Sequence, residues 1–130
     1  ICYYFSNDVF AKYRKYEKRK VQMVSHKELY KLHADFCKFM ANPKRIEMLF
    51  LLGEKEMCVD EIATEMGVRV PNISQHLAVM REKGVVEVRR NGNKMYYTIA
   101  NPKTLQACII MREAMVEQMQ KQFDMIKSIK

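Results

Sequence analysis

Residues that interrupt helices are scarce in this chain, with four glycines and three prolines among 130 residues. They fall at Gly53, Gly67, Gly84 and Gly92 and at Pro43, Pro71 and Pro102, and they cut the sequence into short helical blocks. No apolar run approaches the ~18 residues that a membrane span needs. No glycine-rich phosphate loop, H-E-x-x-H helix or nucleophile elbow occurs, so the patterns of the common enzyme classes are missing. Cys2, Cys37, Cys58 and Cys108 form no close pair. The amino-terminal stretch lacks a signal-peptide pattern, because Lys12, Arg14 and Lys15 follow its aromatic residues rather than precede them. The expected compartment is the cytoplasm, with the cysteines reduced. Internal repeats and low-complexity segments are absent as well.

What the chain does have is 48% hydrophobic residues, enough to exclude an intrinsically disordered protein. Its length suits one core. A net charge of +8 points to an anionic partner, either nucleic acid or a membrane surface. Most of the 11 methionines stand at helical core spacing and are read as packing residues.

Residues 1–25 read as a basic, aromatic arm, expected to be helical, in which Tyr3, Tyr4 and Phe5 precede Lys12, Arg14, Lys15, Lys18, Arg19 and Lys20. A domain over 26–130 follows. Ser25 and Glu28 form a capping box that opens a helix expected to bury Leu29, Leu32, Phe36 and Met40. Asn42 and Pro43 start the next helix, which Gly53 is expected to end. A short helix from Val59 to Met66, a turn at Gly67 and a second helix from Val70 to Lys83 make a helix-turn-helix. Ile73, Leu77 and Met80 are the inner face of the second helix. The period then changes to two, around an Asn91-Gly92 hairpin signal. After Asn101-Pro102 a long helix carries the stripe Leu105, Ile109, Val116, Met119, Phe123 and Ile126. The fold class is mainly α (α+β), a winged helix-turn-helix of about five to six helices with a two-stranded hairpin wing.

The helix from Val70 presents Arg69, Asn72, Ser74, Gln75 and His76 in its first turns, with Arg81 further along. Asn and Gln make bidentate bonds to adenine and Arg to guanine, and short polar groups at a helix start suit the major groove. An ordinary solvated helix face has the same composition. The next segment separates the two readings, because Arg89, Arg90, Asn91, Asn93 and Lys94 bracket the hairpin turn. A basic wing there fits the sugar-phosphate backbone or the minor groove of double-stranded DNA.

These segments resemble the ArsR/SmtB winged-helix repressors over roughly Leu29 to Met119. The stretches that carry the resemblance are A-N-P-K-R-I-E-M-L at 41–49, C-V-D-E-I-A at 58–63, P-N-I-S-Q-H-L-A-V-M-R-E-K-G-V-V at 71–86 and G-N-K-M-Y-Y-T-I at 92–99. The resemblance implies a homodimer built from the first core helix and the C-terminal helix, with two recognition helices on an inverted repeat. It also implies release by a metal ion, an oxidant or a reactive sulfur species. Arg69 departs from the Ser or Thr that often caps the recognition helix in this family.

Metal-sensing relatives often carry Cys-x-Cys at the start of the first helix of the pair, where this chain has Cys58 and Asp60. Cys2 or His26 would have to complete a site for a thiophilic metal or metalloid ion. A second family pattern on the C-terminal helix is matched only by Glu117, with Asn101, Lys103 and Ala114 at its other positions. Cys37 and Cys108 lie on the two helices that the family packs together. They are read either as small core residues, as a thiol switch or as metal ligands. Two rival functions stand beside the repressor. One is a winged-helix module for protein or RNA with no inducer, and the other is membrane-surface binding through the arm.

Overall fold

Side chains of Ser25, Asn42 and Asn101 cap three of the helices where the sequence starts them. The computed structural model describes residues 25–129, and the chain divides into two compact units, Ile1–Met40 and Ala41–Lys130. The arm read over residues 1–25, with Cys2, lies outside the described residues except for Ser25.

In the first unit, α1 (His26–Met40) begins behind Ser25. Ser25 Oγ accepts from the Glu28 amide at 3.3 Å, while the Glu28 carboxylate accepts from the Ser25 amide at 2.9 Å. This reciprocal box satisfies two of the orphan donors of the helix start. The Ser25 backbone N–H and then its hydroxyl hold the Glu28 carboxyl below its ordinary range. Of the expected inner face, Met40 is buried and Leu29 and Phe36 are half-buried, but Leu32 stays 58% exposed.

The second unit opens with α2 (Pro43–Glu54), where Asn42 Oδ1 accepts from the amides of Lys44 and Arg45 at 3.0 and 3.3 Å. This helix passes through Gly53 instead of ending on it, which corrects the expectation from sequence. Gly53 lets Leu105 approach closely: a Cβ built there would collide with a methyl of that side chain. The chain continues as β1 (Met57–Cys58), α3 (Val59–Met66), α4 (Val70–Glu82), β2 (Val86–Asn91), β3 (Lys94–Ile99) and α5 (Pro102–Ser128). Gly67 adopts φ 63°, and the Val68 amide donates back to the Ala63 carbonyl at 3.1 Å. That left-handed stop closes α3 and leaves only a tight turn before α4.

The strands form one antiparallel sheet in the order β1-β3-β2. The wing therefore has a third strand that the sequence did not announce. Met57 and Cys58 pair with Tyr97 and Tyr96, and two residues are too few to show a period. The hairpin turn is also one residue later than expected. Asn91 still pairs with Lys94, so Gly92 and Asn93 are the central residues, and Gly92 alone takes positive φ, at 63°. Glycine at the first central position is the arrangement of a type II′ turn.

Met48, Leu49, Met57, Ile62, Ile73, Leu77, Met80 and Val86 are fully buried and form the core of this unit. Each such aliphatic side chain contributes about 1.5–3 kcal/mol on burial. By contrast, the 27-residue α5, roughly 40 Å long at 1.5 Å per residue, buries none of its residues. It meets α2 through Leu105 and through Arg112, whose guanidinium lies 3.6 Å from the centre of the Phe50 ring. Ile109, Val116, Met119, Phe123 and Ile126 remain exposed. Helix, helix-turn-helix, hairpin and long final helix together make a winged helix-turn-helix.

Candidate nucleic-acid interface

Helix α4 has two faces of opposite character. Ile73, Leu77 and Met80 are 0% exposed and anchor it to the core. Arg69, Asn72, Ser74, Gln75 and Arg81 are exposed on its other side. Arg69 is the N-cap residue but makes no side-chain cap bond, so the first turn is started by backbone bonds to the Arg69 carbonyl and by Pro71. The Asn72 amide donates there at 3.0 Å and the Ile73 amide at 3.2 Å. A guanidinium has no acceptor with which to cap these amides, and the Arg69 side chain is exposed.

His76 differs from its neighbours in being half-buried. Arg45 Nε, on the first turn of α2, donates to His76 Nδ1 at 3.4 Å. Burial, then the charges of Arg45 and Lys44, hold the imidazole below its ordinary pKa. Both effects favour the neutral imidazole, and Nδ1 is the acceptor in the Arg45 bond. The sequence reading missed Lys44 and Arg45. Its only available signal was the K-R pair inside the 41–49 stretch, since partners 31 residues apart share no local periodicity.

The wing has a fastened base and a polar tip. Arg89 on β2 faces Tyr96 on β3, and its guanidinium lies 5.2 Å from the centre of that ring. It then grips Glu56 with two nitrogens, Nε donating to Oε2 at 2.7 Å and Nη2 to Oε1. The Arg89 hydrogen bonds hold the Glu56 carboxyl below its usual range, and the same bonds raise the pKa of Arg89. Arg90 Nε donates to the Gly92 carbonyl at 3.3 Å and braces the turn. Asn91, Asn93 and Lys94 are exposed at the tip. Because α4 packs against β2, the polar helix face and the wing belong to one compact unit.

Cys58 is buried in β1, and its amide donates to the Glu61 carboxylate at 3.0 Å, while Asp60 is exposed on α3. Among the described residues no group of three or more His, Cys, Asp or Glu side chains could hold a metal ion. Cys37 is exposed in the first unit and Cys108 is half-buried in the second. No helix among the described residues is long and apolar enough to cross a membrane.

Comparison with known proteins bears directly on this geometry. A family model described as "Bacterial regulatory protein, arsR family" matches residues 42–88, which include the whole helix-turn-helix. The HTH-type transcriptional regulator Rv0081 of Mycobacterium tuberculosis is 42% identical over 88 residues, covering 67% of this chain and 77% of that protein. Its crystal structure superimposes with a TM-score of 0.67 at 39% identity, over 72% of this chain and 95% of the other. The homodimeric winged helix-turn-helix DNA-binding domain Mb0332 of Mycobacterium bovis gives a TM-score of 0.65 at 30% identity, covering 74% and 89% of the two chains. The transcriptional repressor BigR of Xylella fastidiosa gives 0.60 at 29% identity, covering 71% and 91%. Similarity at this level, on a surface built from a polar helix face and a basic wing, has one reading: the chain belongs to the arsR family of bacterial regulatory proteins and is a DNA-binding transcription regulator, not an enzyme.

Proposed function

We propose that the protein is a repressor that binds double-stranded DNA as a homodimer on an inverted repeat and is released by chemistry at its thiols. The observation that carries this reading is the polar face of α4, with Asn72, Ser74 and Gln75 exposed directly above the fully buried Ile73 and Leu77. A rigidly seated helix with short polar groups in its first turns is what base-edge readout requires. Arg69, Asn72, Ser74 and Gln75 meet base edges, His76 and Arg81 flank them on the backbone, and Arg90, Asn91, Asn93 and Lys94 hold phosphates or the minor groove. Two copies are joined through α1 and α5, for which the exposed apolar stripe from Ile109 to Ile126 supplies the surface. The homodimeric domain from Mycobacterium bovis and the repressor from Xylella fastidiosa support assembly and sign of action.

The signal acts on Cys37 and Cys108. A peroxide would take two electrons and two protons from the thiols, leaving a disulfide and two waters. Selection from a random duplex DNA library tests the whole reading, first with reduced, metal-free protein and then after mild oxidation. An inverted repeat enriched in the reduced sample and lost on oxidation is the expected result. Enrichment of neither sample, with retention of RNA or a protein partner instead, overturns it.

A further inference from the structure

The sequence places Arg89 among the DNA-contacting residues, because it lies in a basic hairpin. Its geometry assigns it a different task. The residue stands on β2, the outer strand of the wing, and its partner Glu56 immediately precedes β1 on the opposite edge of the sheet. Between them lies β3, whose Tyr96 is in register with both Arg89 and Cys58. The guanidinium therefore crosses the middle strand over the Tyr96 ring and closes a two-nitrogen fork on the carboxylate beyond it. We propose that the Arg89–Tyr96–Glu56 bridge is a strut that sets the pose of the wing, and that Arg89 is a positioning residue for DNA binding rather than a phosphate contact.

Three physical points support this assignment. The fork to Glu56 engages two of the five N–H donors of the Arg89 guanidinium and neutralises its charge locally, which weakens its pull on a phosphate. The ring beneath it adds a cation–π contact and restricts the side chain to one path across the sheet. An exposed isolated ion pair contributes little to global stability. Its effect here is local: β2 is already seated on α4 through the buried Val86, and the bridge adds a side-chain tie from β2 across β3 to the residue before β1.

The proposal rests on the DNA-binding reading for its functional arm, but a second arm does not need DNA. Electrostatics alone predicts that Glu56→Gln, which removes a negative charge from a DNA-binding face, tightens binding. The strut predicts the opposite sign. Glu56→Gln and Arg89→Gln should each weaken binding to the selected operator by about two- to five-fold, the scale of an exposed pair. The double variant should be no worse than either single one, and the slope of log K against log salt should stay unchanged. In DNA-free protein, amide exchange at Arg90 to Lys94 should speed up in both single variants, and the swap Glu56→Arg with Arg89→Glu should restore the slow rate.

Tighter binding by Glu56→Gln, with Arg89→Gln lowering the salt slope by about 0.9, would make Arg89 a phosphate contact and overturn the proposal. Unchanged wing exchange in the single variants would overturn it without any DNA being present. Faster wing exchange in a protein that selects no operator would leave the strut standing and remove the DNA reading instead.

Discussion

Leu105 of α5 occupies the space where any side chain on Gly53 would have to begin, 2.4 Å from the position of a Cβ. Two helices of the second unit are thereby joined at the one glycine that neither turns the chain nor takes a positive φ. The expected effect of substitution depends on size. Gly53→Ala gains up to about 1 kcal/mol of helix propensity and loses a similar amount as Leu105 turns away, so it should be close to neutral. Gly53→Val cannot be absorbed by one rotamer change and should cost about 1–3 kcal/mol, most of it recovered by Leu105→Ala. Denaturant unfolding at fixed protein concentration measures both. An equal loss for Val with and without Leu105→Ala would place the strain elsewhere.

The seat of α4 is the next prediction. Leu77 is 0% exposed and stands between Ile73 and Met80 on the buried face. Leu77→Ala should destabilise the protein by about 2–5 kcal/mol through lost transfer and a residual cavity. The midpoint of urea unfolding should fall with an unchanged m-value. A loss under 1 kcal/mol would mean that the helix is not held to the core by this row.

His76 gives a pH dependence with a definite sign. Its folded pKa lies below the ordinary 6.5, through burial first and then the nearby charges of Arg45 and Lys44. The unfolded chain therefore takes up the proton first as pH falls, so stability drops as pH decreases. The contribution from neutral His76 is complete above about pH 6.5 and is lost as pH falls through the lowered folded value. His76→Gln should flatten the stability profile in that window while leaving the more acidic limb, where Glu28 and Glu56 titrate, intact. The same slope in the variant would separate His76 from the effect.

Thiol release has its own test. Oxidised protein should lose operator affinity, and both Cys37→Ser and Cys108→Ser should keep it under the same treatment. Mass spectrometry of the oxidised protein should show the loss of two hydrogens. Release that persists in both variants would remove these cysteines from the mechanism.

Legibility in the sequence followed the range of the interaction. Asn42-Pro43 and Ser25…Glu28 act within three or four residues, and the caps are where they were read. Gly67 and the buried row Ile73, Leu77 and Met80 were equally plain, because a left-handed stop and a helical period are local signals. Gly53 was misread as a stop, since the residue that requires it lies 52 positions away in α5. Strand β1 was missed because two residues carry no alternation, and the turn moved by one because register is fixed by pairing across the hairpin. Within the interface, the polar face of α4 was readable from residue type. The links Arg45–His76 and Glu56–Arg89 were not, as each joins residues more than 30 positions apart.

The central claim is that α4 reads bases while the wing tip holds the backbone, and a paired comparison tests it most directly. Gln75→Ala and Lys94→Ala would be titrated against the selected operator and against single-base variants of it, across a range of salt. Gln75→Ala is predicted to lose about 1–3 kcal/mol on the operator and to relax preference at one base pair per half-site. Lys94→Ala is predicted to weaken every duplex alike and to lower the salt slope by about 0.9 per contact. Equal losses on all sequences for Gln75→Ala, with no base pair relaxed, would contradict the assignment of α4 as the reading helix.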